Sequence, residues 1–365
     1  MSDSARPIRI AVWSTGTIGS IVIRVAHRRG ACDLVAVWVH TDDKADRDAG
    51  ELVGLPPIGL RTTQSIDDVI AAQPDCVVYT ASAPELDAIN MPVYVRLLRA
   101  GINVVTVSSP GLVFPPAWNA GYTAELTAAA EQGQASLYAS GIEPGFAGDQ
   151  LVALLTTLSA SITSVRTQEI FQYDSYGNEF LMGDVFGFGR PLDQAPLMQI
   201  PGMQQHAWGP PVRYVAAALG VELEDVRETY ERRATPRDLV TAFGPVVAGT
   251  CGAIRMETIG VVAGRDAIVI EHVNRLAADL APDWPTADRD GVYRVIIEGA
   301  PKLTCVLSVG DEHNVTDQGM IATAMRLLNA VPYVVAAPTG LLSSLDLPLT
   351  TPAADVFRAA SPMTV

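Results

Sequence analysis

Residues 8–40 read "IRIAVWSTGTIGSIVIRVAHRRGACDLVAVWVH", and the punctuation of this stretch decides the fold. A short apolar run ends in a glycine-bearing turn, "TGTIG". The next segment sets Ile21, Val22, Val25 and Ala26 at helical spacing on one face and stops at Gly30, a residue suited to ending a helix. "DLVAVWVH" is a second apolar strand. Strand, glycine turn, helix and strand make a βαβ unit of the size that binds a dinucleotide. Gly16 and Gly19 take the second and third positions of GxGxxG, with Ser14 at the first. Gly16 lets the backbone approach a pyrophosphate, Gly19 lets helix and strand pack closely, and the helix N-terminus offers free amides to phosphate. Ser14, Gly16, Thr17, Ile18 and Gly19 are therefore cofactor-binding candidates.

The alternation continues outward from this unit. "SIDDVIAAQ" is a helix opened by Ser65, "DCVVYTASA" a strand ending in small residues, and "MPVYVRLLRAG" a helix with Pro92 in its first turn. "INVVTVSS", a helix around Glu125 and "ASLYASG" follow. Strands alternating with helices from residue 8 to 140 predict a parallel, doubly wound α/β sheet of Rossmann type. Ala81, Ser82 and Ala83 after one strand, and Ser108 after the next, join the cofactor candidates. Beyond residue 143, "SVRTQEIFQYDSY", "AIRMETIGVVAG", "DAIVIEHVNRLA" and "GVYRVIIEGAPKLTCVLSV" alternate with period two and predict an α+β domain with a mixed or antiparallel sheet. "RDLVTAFGP" and "PPVRYVAAALGV" read as helices between them. "MIATAMRLLNAVPYVVAAPTGLLSSLDLP" reads as a long helix interrupted by Pro332 and followed by a Pro/Gly-rich tail. The expected domains are 1–142, 143–322 and a C-terminal helix and tail, 323–365.

Composition removes several classes of function. The 365-residue chain is 48% hydrophobic, enough for two domains. A net charge of −15 without a basic block argues against nucleic acid or an anionic membrane as partner. No uninterrupted apolar run reaches spanning length and the N-terminus lacks a signal-peptide profile, so the expected address is the cytoplasm. Cys32, Cys76, Cys251 and Cys305 are scattered, and the histidines show no metal-ligand spacing. Reduced thiols and no metal are expected. Lys44 and Lys302 are the only lysines, which leaves little room for Schiff-base chemistry.

The choice between NAD and NADP rests on the end of the second strand. An NAD site places an acid there for the ribose hydroxyls. Here "VHTDDKADR" puts His40 and Thr41 at the strand end, with Lys44 and Arg47 beyond. A hydroxyl and cations suit a 2′-phosphate, so NADP is favoured, while Asp42 and Asp43 keep NAD open.

Several further stretches carry a resemblance: "VHTDDKADRDAGELVG" at 39–54, "GIEPGFAGDQL" at 141–151, "MGDVFGFGRP" at 182–191 and "TAMRLLNAVPYVVAAPTGLLSSLDLP" at 323–348. In order along the chain, they resemble the dihydrodipicolinate reductase-like oxidoreductases, in the branch of 2,4-diaminopentanoate dehydrogenase and the native amine dehydrogenases. The resemblance implies a Rossmann domain, an α/β substrate domain, a homodimer, and hydride transfer between a nicotinamide and a C=N or C=O carbon, including reductive amination of ketones. Two departures stand out. The paired histidines, nearby lysine and SGT stretch of true dihydrodipicolinate reductases are absent. Where the amine dehydrogenases carry a glutamate in a stretch resembling "CEEL", this chain reads "VTVSSPGLVFPPAW", with Ser108, Ser109, Pro110 and Gly111 and no acid.

The missing acid directs attention to Glu143 in "SGIEPGFAGDQL", where the resemblance places a polar residue near the nicotinamide. Flanked by Gly141, Pro144 and Gly145, this carboxyl has few ways to aim. Two readings stay open: a proton carrier with a raised pKa, or a side chain that hydrogen-bonds turn amides or the nicotinamide carboxamide. Tyr173 is the second catalytic candidate, as a proton donor. Phe146, Tyr176, His206 and Trp208 are substrate-binding candidates for a hydrophobic or mixed ketone, amine or alcohol. An alcohol dehydrogenase or ketone reductase, and a non-catalytic NADPH sensor, are the alternatives.

Overall fold

The computed structural model describes residues 6–30, 32–81, 86–311 and 314–352. The chain divides into two compact units, residues 1–142 with 320–365, and residues 143–319.

In the first unit, β1 (Ile8–Trp13), β2 (Cys32–Trp38), β3 (Cys76–Tyr79), β4 (Asn103–Thr106) and β5 (Ser136–Ala139) form a parallel sheet, extended by Gly340–Leu342 beside β5. The spatial order is β2-β1-β3-β4-β5 and then this last strand. Both faces are covered, so strand residues are apolar in succession rather than alternately. On β1, Ile10 and Val12 enter one core with Ile21, Val22 and Val25 of α1 (Thr17–Arg29). Ala11 and Trp13 enter the other, with Tyr94, Leu97 and Leu126. Gly30 ends α1 in the left-handed conformation, at φ 61°.

Three local expectations are corrected. The helix around Pro92 spans Leu86–Arg99, so Pro92 lies in its interior rather than its first turn. Its buried neighbours Met91, Tyr94 and Val95 outweigh the one hydrogen bond that proline removes. Pro332 likewise lies inside the helix Val315–Ala336 without interrupting it, and the supposed tail supplies a sheet strand. That helix is long and apolar enough to cross a membrane by length and composition. Ala324, Leu327, Val331 and Val334 nevertheless pack into the core of the first unit, as in a core helix.

In the second unit, β6 (Ser161–Gln172), β7 (Asp225–Ala234), β8 (Leu239–Thr241), β9 (Gly244–Val246), β10 (Cys251–Val262), β11 (Arg265–Arg275), β12 (Gly291–Ala300) and β13 (Leu303–Leu307) follow in sequence. Six build one mixed sheet, β13-β12-β6-β11-β10-β7, with β6 and β11 parallel and the other pairs antiparallel. "RDLVTAFGP" is the β8–β9 hairpin and not a helix. Val240 and Thr241 are β-branched, and Gly244 at φ 125° supplies a turn geometry that a helix lacks. The helix Met203–Leu219 packs on β10 and β11.

Candidate active site

The first unit places its candidates at the carboxyl ends of β1, β2, β3 and β4. The order of strands reverses between β1 and β3, the position where doubly wound sheets bind ligands. Gly16 is the N-cap of α1, no side chain caps that end, and no acid lies in its first turn. Gly16 N–H donates to Ser14 Oγ at 3.4 Å, and the Thr17, Ile18 and Gly19 amides have no side-chain partner among the described residues, as a phosphate would require. Ser14 adopts φ 89°, the left-handed geometry that a glycine usually takes at the head of this motif. A Cβ at Gly19 would lie 2.0 Å from the Ser14 carbonyl oxygen, so the close approach of α1 to the turn requires glycine. These features fit a dinucleotide diphosphate.

Thr17 is exposed, and Ile18 is partly buried against the core. His40 and Thr41 are exposed beyond β2, with Lys44 half-buried after them. Gln64 Nε2 donates to Asp42 Oδ1 at 3.1 Å, while the Thr41 hydroxyl beside Asp43 holds that carboxyl below its usual range. Ser108 Oγ donates to the Ala81 carbonyl at 2.5 Å, tying the ends of β3 and β4. Ser82 and Ala83 lie outside the described residues. Ser109 is fully buried, with its hydroxyl 3.4 Å from that of Tyr94.

In the second unit, Glu143 opens the turn that leads to the helix Gln150–Thr156. Asp149 accepts from the Gly145 and Gln150 amides at 2.8 and 2.5 Å, so this turn is tied by Asp149 and not by Glu143. Both carboxyl oxygens of Glu143 are buried and have no hydrogen-bond partner among the described residues. A Cβ on Gly148 would lie 2.6 Å from each of them, so the carboxyl occupies room that only glycine leaves. Burial pushes the Glu143 pKa well above the ordinary carboxylate range, and Asp149 and Glu169 add repulsion; the Gly148 amide works in the other direction.

Strand alternation supplies the neighbours. Thr167 and Glu169 on β6, Ile270, His272 and Asn274 on β11, and Tyr293 on β12 share one face, because Glu169 pairs in register with both His272 and Tyr293. Glu143, Gly148, Thr167, Glu169, His272 and Tyr293 line a small cavity with room for about one water molecule. Glu169 Oε1 accepts from the Tyr173 hydroxyl at 2.7 Å and from Asn274 Nδ2 at 3.1 Å. Burial and the Glu169 charge raise the Tyr173 pKa, and burial, Glu169 and Glu143 raise that of Tyr293. Burial lowers that of His272, which is therefore neutral at neutral pH.

The structure links Tyr173 to the cavity through Glu169. Trp208 is linked through His272, whose ring centroid lies 4.5 Å from the indole; the Trp208 Nε1 is buried without a partner. Phe146, Tyr176 and His206 are not on the cavity wall. His206 is exposed, and Tyr176 packs edge-on against Tyr173 at 5.7 Å. Glu169, His272, Asn274 and Tyr293 escaped the sequence reading. Their signal was polar residues in phase with the apolar positions of "SVRTQEIFQ" and "AIVIEHVN".

Comparison with known proteins places this geometry in context. The 2,4-diaminopentanoate dehydrogenase C-terminal domain model matches residues 146–361, and the dihydrodipicolinate reductase N-terminus model matches residues 8–102. An amine dehydrogenase of Streptomyces virginiae is 40% identical over 354 residues, covering 94% of this chain and 96% of the relative. The 2,4-diaminopentanoate dehydrogenase of Acetoanaerobium sticklandii is 23% identical over 259 residues, covering 69% and 68%. The solved structure of an amine dehydrogenase from Mycobacterium smegmatis shares the fold at a TM-score of 0.76, with 20% identity and coverage of 95% and 97%.

Proposed function

This chain belongs to the 2,4-diaminopentanoate dehydrogenase and amine dehydrogenase branch of the dihydrodipicolinate reductase-like oxidoreductases, and from that premise we propose that it interconverts a ketone and its amine. In the aminating direction a ketone, ammonium, a proton and a reduced nicotinamide give a protonated amine, water and the oxidised nicotinamide. The nicotinamide supplies the hydride, and the protein positions the partners and handles protons.

The observation that carries this reading is the buried, unpartnered carboxyl of Glu143. Loss of the carbonyl oxygen as water requires protons at that oxygen, and formation of the iminium requires removal of protons from nitrogen. A carboxyl whose pKa is raised above the ordinary carboxylate range can do both in turn. Glu143 is thereby assigned the role that the stretch at 108–111, which lacks an acid, leaves open. Tyr173 and Asn274 donate hydrogen bonds to Glu169 beside it, and Tyr173 is read as positioning that side chain. Trp208 forms an apolar wall against His272. Tyr176, Phe146 and His206 are read as more distant substrate contacts.

On the cofactor side, Ser14, Gly16, Thr17, Ile18 and Gly19 would hold the diphosphate, with Ala81, Ser82, Ala83 and Ser108 along the strand ends. NADP is read over NAD because no acid ends β2 and Asp42 is engaged by Gln64, whereas His40, Lys44 and a Thr41 hydroxyl released from Asp43 would meet a 2′-phosphate. The reading includes a homodimer in the cytoplasm.

The test is oxidation of NADPH and NADH over a panel of aliphatic, cyclic and aromatic ketones, with and without ammonia. Amine formed only with ammonia supports the proposal. Alcohol formed at the same rate without ammonia replaces it with ketone reduction.

A further inference from the structure

We propose that Gly148 is the positioning residue of Glu143: having no side chain, it leaves the space in which that carboxyl is held. Asp149 beside it occupies the turn amides that would draw the carboxyl elsewhere. The inference rests on the reading of Glu143 as the proton carrier and adds what fixes its reach.

Glycine is needed at 148 for room and not for backbone freedom. Gly145, in the same turn, adopts φ 120°, which other residues avoid, whereas Gly148 has no positive φ. Alanine at 148 would therefore keep the path of the turn. Its Cβ would nevertheless lie 2.6 Å from both Glu143 oxygens and 2.9 Å from the carboxyl carbon, where ordinary contact begins at 3.4 Å. Those three atoms are its nearest neighbours, so the carboxyl is what stands in the way. It is the far end of a flexible side chain, and it gives way before the backbone does.

The remaining sides of the carboxyl are closed. Glu169 of β6, Glu271 and His272 of β11 and Tyr293 of β12 border the cavity, and the space left holds about one water molecule. Asp149 Oδ2 accepts from the Gly145 amide at 2.8 Å and Oδ1 from the Gln150 amide at 2.5 Å, so these two donors are already engaged. A carboxyl displaced by a methyl group has one low-cost exit, out of the cavity and away from the Glu169 charge. Proton transfer needs hydrogen-bond reach, about 2.6–3.2 Å, and a misplacement of about 1 Å costs on the order of a hundredfold.

The test compares the full-length parent, loaded with nicotinamide cofactor, with Gly148→Ala, Glu143→Gln and the double variant. Gly148→Ala is expected to lower kcat about 10–100-fold with the ketone KM within about threefold. It is expected to add less than about threefold where Glu143 is already Gln, because the two changes remove one function. An unchanged kcat, or the same loss in both backgrounds, overturns the proposal. Infrared titration of the Glu143 carboxyl reads its position without turnover. Asp149 and the Gly148 amide on its own turn, Glu169 on β6, Glu271 and His272 on β11 and Tyr293 on β12 all persist in Gly148→Ala. A shift then belongs to the carboxyl itself, and its titration is expected to move to lower pH as it leaves the cavity. An unmoved titration overturns the positioning role and leaves Glu143 as proton carrier standing. Parent-like turnover in Glu143→Gln removes the proton-carrier reading, and the infrared shift still decides the positioning. Should Gly148→Ala lower the urea midpoint, Glu143→Ala in the same chain vacates the space and is expected to bring the midpoint back to that of Glu143→Ala alone. No recovery overturns the proposal.

Discussion

Glu271 and Glu143 are both sunk in the second unit, and their surroundings are opposite. Glu271 is fully buried on β11 and accepts from Arg166 Nη1 and Arg255 Nε at 2.7 Å and from Gln168 Nε2 at 2.8 Å. Burial alone would raise its pKa, but Gln168, Arg166 and Arg255 outweigh that and hold it below the usual carboxylate range. The Glu143 carboxyl oxygens are likewise buried and have none of those donors, so its pKa goes up. Glu271 and the next residue along β11, His272, both border the Glu143 cavity, but the Glu271 carboxylate is held by Arg166, Arg255 and Gln168. Glu271 is thus a carboxylate spent on structure and Glu143 a carboxyl left free for chemistry. The difference lies in the partners supplied and not in the depth of burial.

The strongest way to break this comparison is to make the same substitution on both sides. Glu143→Gln is expected to lower turnover about 10²–10⁴-fold, the usual worth of a positioned proton carrier. Glu271→Gln is expected to leave turnover within about tenfold, checked by kcat at saturating ketone and ammonia. Stability should invert the ranking. Glu271→Gln takes the buried carboxylate from two guanidiniums that keep Glu257 as a partner, and is expected to cost about 2–3 kcal/mol in urea unfolding. That is below the full cost of a buried pair, because Arg166 and Arg255 remain partly exposed. Glu143→Gln, which keeps the size of a carboxyl that has no donors to lose, is expected to stay within about 1 kcal/mol.

The smaller effect is in the pH dependence, where the two signs are opposite. Glu143 has a raised folded pKa, so its contribution is present below the ordinary carboxylate value and is lost as pH rises through the raised one. Asp149 and Glu169 beside it reinforce that direction. Glu271 has a lowered folded pKa, so its contribution is present above the ordinary value and lost as pH falls through the lowered one. Unfolding free energy measured against pH should therefore decline above the usual carboxylate range by at most about 1.4 kcal/mol per pH unit for the one proton. Glu143→Gln should flatten that decline and Glu271→Gln should leave it.

Legibility in the sequence followed the locality of each feature. The βαβ unit was readable because Gly16, Gly19 and Gly30 mark turns within a few residues of the apolar runs they join. Glu143 was readable because Gly145 and Pro144 single it out locally. Its true neighbours were not, since Glu169, His272 and Tyr293 come from three strands whose register no local pattern states. The tie of Asp149 to the turn amides, which frees Glu143 from that duty, is equally a matter of side-chain geometry. Pro92 misled because burial of its helix overrode a local rule, and "RDLVTAFGP" because a short hairpin and a short helix share the same apolar content.

The central claim is that Glu143 stays protonated above the ordinary carboxylate range, and infrared spectroscopy at a pH just above that range reads that state directly. The difference spectrum between the parent protein and Glu143→Gln, taken with carbon-13-labelled glutamate, isolates this carboxyl. A protonated C=O stretch present in the parent and lost in the variant is the predicted result. A pair of carboxylate bands in its place would show Glu143 ionised and contradict the account.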